Sequence, residues 1–180
     1  DKPAATRQQT GADLDEPLKL ALYASEAPPT HLALLEVLTA RRIDPGPILT
    51  PLLARAEPEM VRAALRAASA SDDRARHRAV VEDLLSHADA GVRAAALRTG
   101  LYWNLGAAWQ ACRKEASAGL PEAMLFLALL GDPRDLAALY DALRAPGRRL
   151  AALYALGYAG RVEAIDACVA HLADADPRVA

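Results

Sequence analysis

The phrase Ala123-Met124-Leu125-Phe126-Leu127-Ala128-Leu129-Leu130-Gly131 decides how this chain folds. An unbroken apolar run ends on a glycine. The phrases Val92-Arg93-Ala94-Ala95-Ala96-Leu97-Arg98-Thr99-Gly100 and Arg149-Leu150-Ala151-Ala152-Leu153-Tyr154-Ala155-Leu156-Gly157 repeat the theme. Their glycines stand 31 and then 26 residues apart. Self-similarity at that period is the signature of stacked helical repeats, because one such unit cannot bury its apolar face alone. Each glycine is expected to close one helix and release the chain into a second.

Composition supports the same reading. Of 180 residues, 53% are hydrophobic but only 4% aromatic, so alanine and leucine carry the apolar content. These are strong helix formers. Isoleucine occurs only as Ile43, Ile48 and Ile165, which disfavours an extensive sheet. The expected fold is all-α, an alpha-alpha superhelix or solenoid of about five helix pairs.

Moving outward, residues 1–12 are polar and aperiodic and read as a linker or frayed end. Residues 13–55 form divergent helical repeats, broken at Asp44-Pro45-Gly46-Pro47. Residues 56–180 hold the regular repeats. First helices are expected at Pro58–Ser69, Ala90–Tyr102, Pro121–Leu130 and Arg148–Leu156. Second helices are expected at Arg74–His87, Leu105–Ala116, Arg134–Arg144 and Val162–Ala173. Ser71-Asp72-Asp73, Asn104 and Asp132-Pro133 supply capping chemistry at the joints. Aligning the first helices gives core columns Ala64, Ala95, Phe126, Ala152 and Leu65, Ala96, Leu127, Leu153. The second helices give Val81, Trp109, Tyr140, Val169 and Leu84, Cys112, Leu143, Leu172.

Three openings resemble the Asp-x-x-Val-Arg start of HEAT repeats: Glu57-Pro58-Glu59-Met60-Val61-Arg62, Asp89-Ala90-Gly91-Val92-Arg93 and Asp176-Pro177-Arg178-Val179. In that family the Asp and Arg support loop and inter-repeat contacts. The openings at Pro121-Glu122-Ala123-Met124 and Arg148-Arg149-Leu150 depart from the pattern. The last match implies that another repeat begins at the chain's end. The segments Asp132-Pro133-Arg134-Asp135-Leu136 and Ala155-Leu156-Gly157-Tyr158-Ala159-Gly160 also resemble an uncharacterised proteobacterial HEAT-repeat family found near type VI secretion genes.

The resemblance implies a non-enzymatic protein-interaction scaffold, an accessory factor of a bacterial secretion system. Its second helices would line the binding face. Trp109, Arg113 and Asp141 form the expected contact patch, with Arg78, Gln110 and Asp166 exposed beside them. The partner is another protein. A net charge of −2 and a pI of about 6.1 give no field for nucleic acid. The longest apolar run is too short to span a bilayer, no leader is visible, and a cytoplasmic location is expected.

The alternative is a HEAT-like DNA-base glycosylase, with Trp103 or Trp109 over the lesion and Arg113, Lys114 and Asp141 around it. A structural segment of a larger protein is the third reading. Catalysis has no positive motif. The scattered His31, His77, His87 and His171 contain no His-Glu pair, so no metal or other cofactor is expected. These histidines read as helix caps or solvent-facing groups. Cys112 and Cys168 match no metal spacing and read as packed, reduced thiols. Asp15-Glu16 and Asp72-Asp73 read as helix-start acids. Arg74, Arg78 and Glu82 form a salt-bridged exposed face.

Overall fold

A computed structural model describes residues 14–160 and 162–170. Among the described residues every regular element is helical. The chain is an all-α arrangement of helical repeats. It divides into two compact units, Asp1–Trp103 and Asn104–Ala180.

The first unit contains α1 (Asp15–Ala24), α2 (Pro28–Arg41), α3 (Leu49–Leu53), α4 (Pro58–Ala68), α5 (Arg74–Leu84) and α6 (Ala90–Tyr102). A 3-10 turn at Gly46–Ile48 leads into α3. The helices form two layers. In one, α2 packs on α4 and α4 on α6; in the other, α3 packs on α5. Leu35, Leu38, Leu49, Leu53, Val61, Leu65, Val92 and Leu97 are buried in this unit. The second unit contains α7 (Gly106–Ser117), α8 (Pro121–Leu130), α9 (Pro133–Ala142), α10 (Pro146–Tyr158) and α11 (Ile165–Val169). Here α8 packs on α7, α9 and α10, and α11 follows against α10. Its core includes Cys112, Met124, Leu127, Leu139, Ala152 and Leu156.

Local chemistry explains where these helices start. Five of them, α2, α4, α8, α9 and α10, open on Pro28, Pro58, Pro121, Pro133 and Pro146. Proline's missing N–H is no loss in a first turn, where that group has no intrahelical acceptor. Aspartates cap α5, α6 and also α9. The Asp73 carboxylate accepts from the Arg76 amide at 3.2 Å, Asp89 from Val92 at 2.8 Å and Asp132 from Arg134 at 2.8 Å. The Asp73 and Asp132 caps match the sequence reading. Asn104 does not cap. It takes a left-handed φ of 58° and forms the turn before α7.

The three phrase-ending glycines turn out to be unlike. Gly131 closes α8 in the left-handed region, with φ of 71°. Gly100 and Gly157 lie inside α6 and α10. Their helices run on because neither position is forced into a left-handed exit. A Cβ added at Gly157 would meet nothing within 4 Å. Gly157→Ala is therefore expected to stabilise the protein by about 0.5–1 kcal/mol by removing unfolded-chain freedom. Gly131→Ala is expected to destabilise it by about 1 kcal/mol through left-handed strain. Urea denaturation of the two variants reads both signs.

Other expectations need correction. Phe126, Ala95, Leu153, Trp109 and Tyr140 are half-buried rather than core residues, and Val169 is 56% exposed. Aligning helices on unlike glycines shifts the register; α8 buries Leu127 as expected, but with Ala123, Met124 and Ala128 in place of Phe126. The expected helix from Val162 is a 3-10 turn, Val162–Ala164, followed by the short α11. The helix expected to reach His87 stops at Leu84. His171, Leu172, the Asp176–Val179 opening and residues 1–12 lie outside the described residues, as does the side chain of Cys168.

His31 and His77 are also not the caps or solvent groups expected; both are buried. Amphipathic packing places each on the inner face of its helix, at one position among apolar neighbours. The His77 Nδ1 lies 3.1 Å from Thr50 Oγ1. Burial holds its pKa below the usual histidine value, with the nearby Asp73 charge working against that shift. His87 sits past the end of its helix, and its Nδ1 accepts from the Asp89 amide at 3.0 Å.

Candidate functional site

Arginines gather at the hairpin ends of the first unit. The C-terminal ends of α2, α4 and α6 meet there with the start of α5. Between them lies an open groove of about 670 Å³. Its lining includes Arg42, Arg66, Arg74 and Arg98, against a single carboxylate, Asp72. None of the four arginines makes an ion pair with an acidic side chain among the described residues. In a chain of net charge −2 this grouping is not a consequence of composition.

Each side chain is placed by a definite local feature. Arg42 follows α2 in a left-handed conformation, with φ of 56°. Arg66 lies in the last turn of α4, and Arg98 is exposed on α6. Arg74 opens α5, and its guanidinium stands 5.3 Å from the centre of the Tyr102 ring. That distance suits a cation–π contact. The α2–α3 and α4–α5 loops are tied together by Asp44. Its carboxylate accepts from the Gly46 amide at 2.9 Å and from the Asp72 amide at 3.2 Å.

Helix C-termini themselves attract cations, each equivalent to about half a negative charge. Three such ends and Asp72 offset part of the arginine charge and leave the groove cationic. This arrangement can recognise an anion through planar, bidentate donors. Four serine and threonine hydroxyls also line it. Thr39 donates to the Leu35 carbonyl at 2.7 Å, Ser69 to Arg66 at 2.7 Å and Thr99 to Leu65 at 2.9 Å. Ser71 is 3% exposed, and its hydroxyl has no partner among the described residues.

The patch expected from sequence is built differently. In the second unit, Trp109 is half-buried, and its indole N–H donates to Asn104 Oδ1 at 3.2 Å. Arg113 spends its guanidinium on Asp135, with Nε to Oδ1 at 2.9 Å and NH2 to Oδ2 at 3.1 Å. Asp135 is buried. Its hydrogen bonds and charge push the arginine pKa further above its ordinary value. Asp141 is exposed and pairs with Arg144 at 2.9 Å. Gln110 and Asp166 are exposed. In the first unit, Arg78 pairs with Glu82 at 2.9 Å, as the helical spacing predicts. Trp103 is 8% exposed.

Cys112 is buried, with its thiol 3.5 Å from the Ala123 carbonyl oxygen. Burial, and after it the Asp135 charge, pushes its pKa up to about 12. The thiol stays protonated at neutral pH, which is the wrong state for a nucleophile. Among the described residues no cluster of three His, Cys, Asp or Glu side chains could hold a metal ion. No helix among them is long and apolar enough to cross a membrane.

Sequence reasoning missed the groove because its arginines are scattered along the chain and each resembles a solvated surface residue. A signal was present in Leu65-Arg66 and Leu97-Arg98, where an arginine follows a core leucine in successive first helices. No protein-family model, curated protein or solved structure matches this chain.

Proposed function

We propose that the protein is a non-enzymatic interaction scaffold of HEAT-repeat type, which holds an anionic segment of a partner protein in the groove of its first unit. The observation that carries this reading is the set of four arginines turned to one groove without acidic partners among the described residues. Other well-placed cations, such as Arg113 and Arg78, are paired internally. The groove arginines are left for a ligand.

One of the repeat openings supports the HEAT reading, whereas Glu57 makes no side-chain cap on α4. Asp89 caps α6, and Arg93 donates to the carbonyls of His87 and Ala88, both at 2.9 Å. Those are the loop-supporting roles that the HEAT resemblance implies. The glycosylase alternative requires an exposed indole over a cationic groove. Trp103 is buried, and the aromatic ring at the arginine groove is Tyr102.

The test is parallel affinity capture with the full chain and with an Arg66→Glu, Arg98→Glu variant. Both sites are exposed, so matched melting temperatures are expected. Proteins retained by the wild type should be lost from the variant, and their retention should fall with salt. An identical set on both baits would overturn the groove as the binding face.

A further inference from the structure

We propose that the anion held in this groove is a phosphoryl group, so that the partner segment is recognised in its phosphorylated form. This rests on the scaffold reading above. A carboxylate brings one charge and two oxygens. A phosphorylated side chain brings about two charges and three strong acceptor oxygens. Four arginines against one aspartate exceed what a single carboxylate needs and suit the denser anion. Arginine clusters are a recurrent solution for phosphorylated motifs.

Ser71 supplies the second, independent observation. Of the four serine and threonine hydroxyls lining the groove, three already donate to backbone carbonyls. Ser71 alone keeps an unpartnered hydroxyl among the described residues, and it is 97% buried in the groove wall. A buried hydroxyl without a partner is costly in the free protein. As the side chains stand its oxygen is closed off from the groove, so an incoming oxyanion satisfies it once the covering side chains turn aside. The Arg74 guanidinium is already held against Tyr102, which lowers the ordering cost of one anion-binding side chain. Nucleic acid fits less well. It presents a long track of phosphates, whereas the cationic residues are gathered in a single groove on a chain of net charge −2.

The experiment uses the full chain and three immobilised peptide pools. They are identical and randomised except for a central phosphoserine, serine or glutamate. The phosphoserine pool should retain about tenfold more protein than either other pool, as the doubled charge and bidentate geometry imply. Arg66→Glu with Arg98→Glu should remove that preference. Ser71→Ala should reduce it about two- to fivefold while the melting temperature holds or rises, since the change removes a buried unpartnered hydroxyl. If charge reversal unfolds the protein, Arg66→Ala with Arg98→Ala serves instead.

Equal retention by the glutamate and phosphoserine pools would overturn the phosphoryl assignment and leave the scaffold standing. So would an absence of retention by every pool, if partner capture still depended on Arg66 and Arg98. Phosphoserine retention that survived both arginine changes would place the site elsewhere. Binding of inorganic tripolyphosphate with no peptide retained would assign the groove to a small polyphosphate and overturn the proposal.

Discussion

Leu97→Ala is expected to lower the stability of the protein by about 2–5 kcal/mol. Leu97 is 0% exposed in α6, the helix that packs on both α4 and α5. Truncation removes buried methyl groups and leaves a cavity between layers. Surrounding helices close it only partly, because each is also fixed by its other neighbours. A urea titration followed by far-UV circular dichroism should show the midpoint falling with little change in slope. A loss below about 1 kcal/mol would mean that the layers slide together to fill the space. That result would contradict a core fixed by ordered packing.

Ala96→Leu tests the opposite side of the same packing. Ala96 is 0% exposed on α6, and Ala64, Ala67 and Ala68 on α4 are also fully buried. These small side chains let two first helices approach closely. Three added carbon atoms would have to displace backbone rather than fill a void. The expected cost is about 1–3 kcal/mol, read by the same urea titration. A neutral or stabilising result would show that α4 and α6 are held apart by other contacts. Substituting a larger apolar residue at the exposed-helix site Gly157 carries no such penalty, which separates crowding from a general intolerance of larger side chains.

Much of the first layer of organisation was readable in the chain. Pro121 to Leu130 is a helix with the bounds that its apolar run and Gly131 suggested, and Ala90 to Tyr102 likewise. Proline at first positions and the caps of Asp73 and Asp132 are short-range effects, so a few neighbouring residues suffice to specify them. The candidate site was less readable. Arg113 and Trp109 belong to the contact patch expected from sequence, yet Arg113 is engaged by the buried Asp135 and Trp109 by Asn104.

What the sequence determined by itself was the helical character of the chain, most helix starts and the repetition of paired helices. Those follow from propensity, capping and a period that local residues set. Tertiary structure alone decided which faces met. It buried His31 and His77, made Gly131 an exit while leaving Gly100 and Gly157 helical, and brought Arg42, Arg66, Arg74 and Arg98 to one groove. The reason is that burial and charge grouping depend on contacts between residues far apart in the chain. Here they depend on the α2–α4–α6 layer and on the Asp44 carboxylate that ties two loops together.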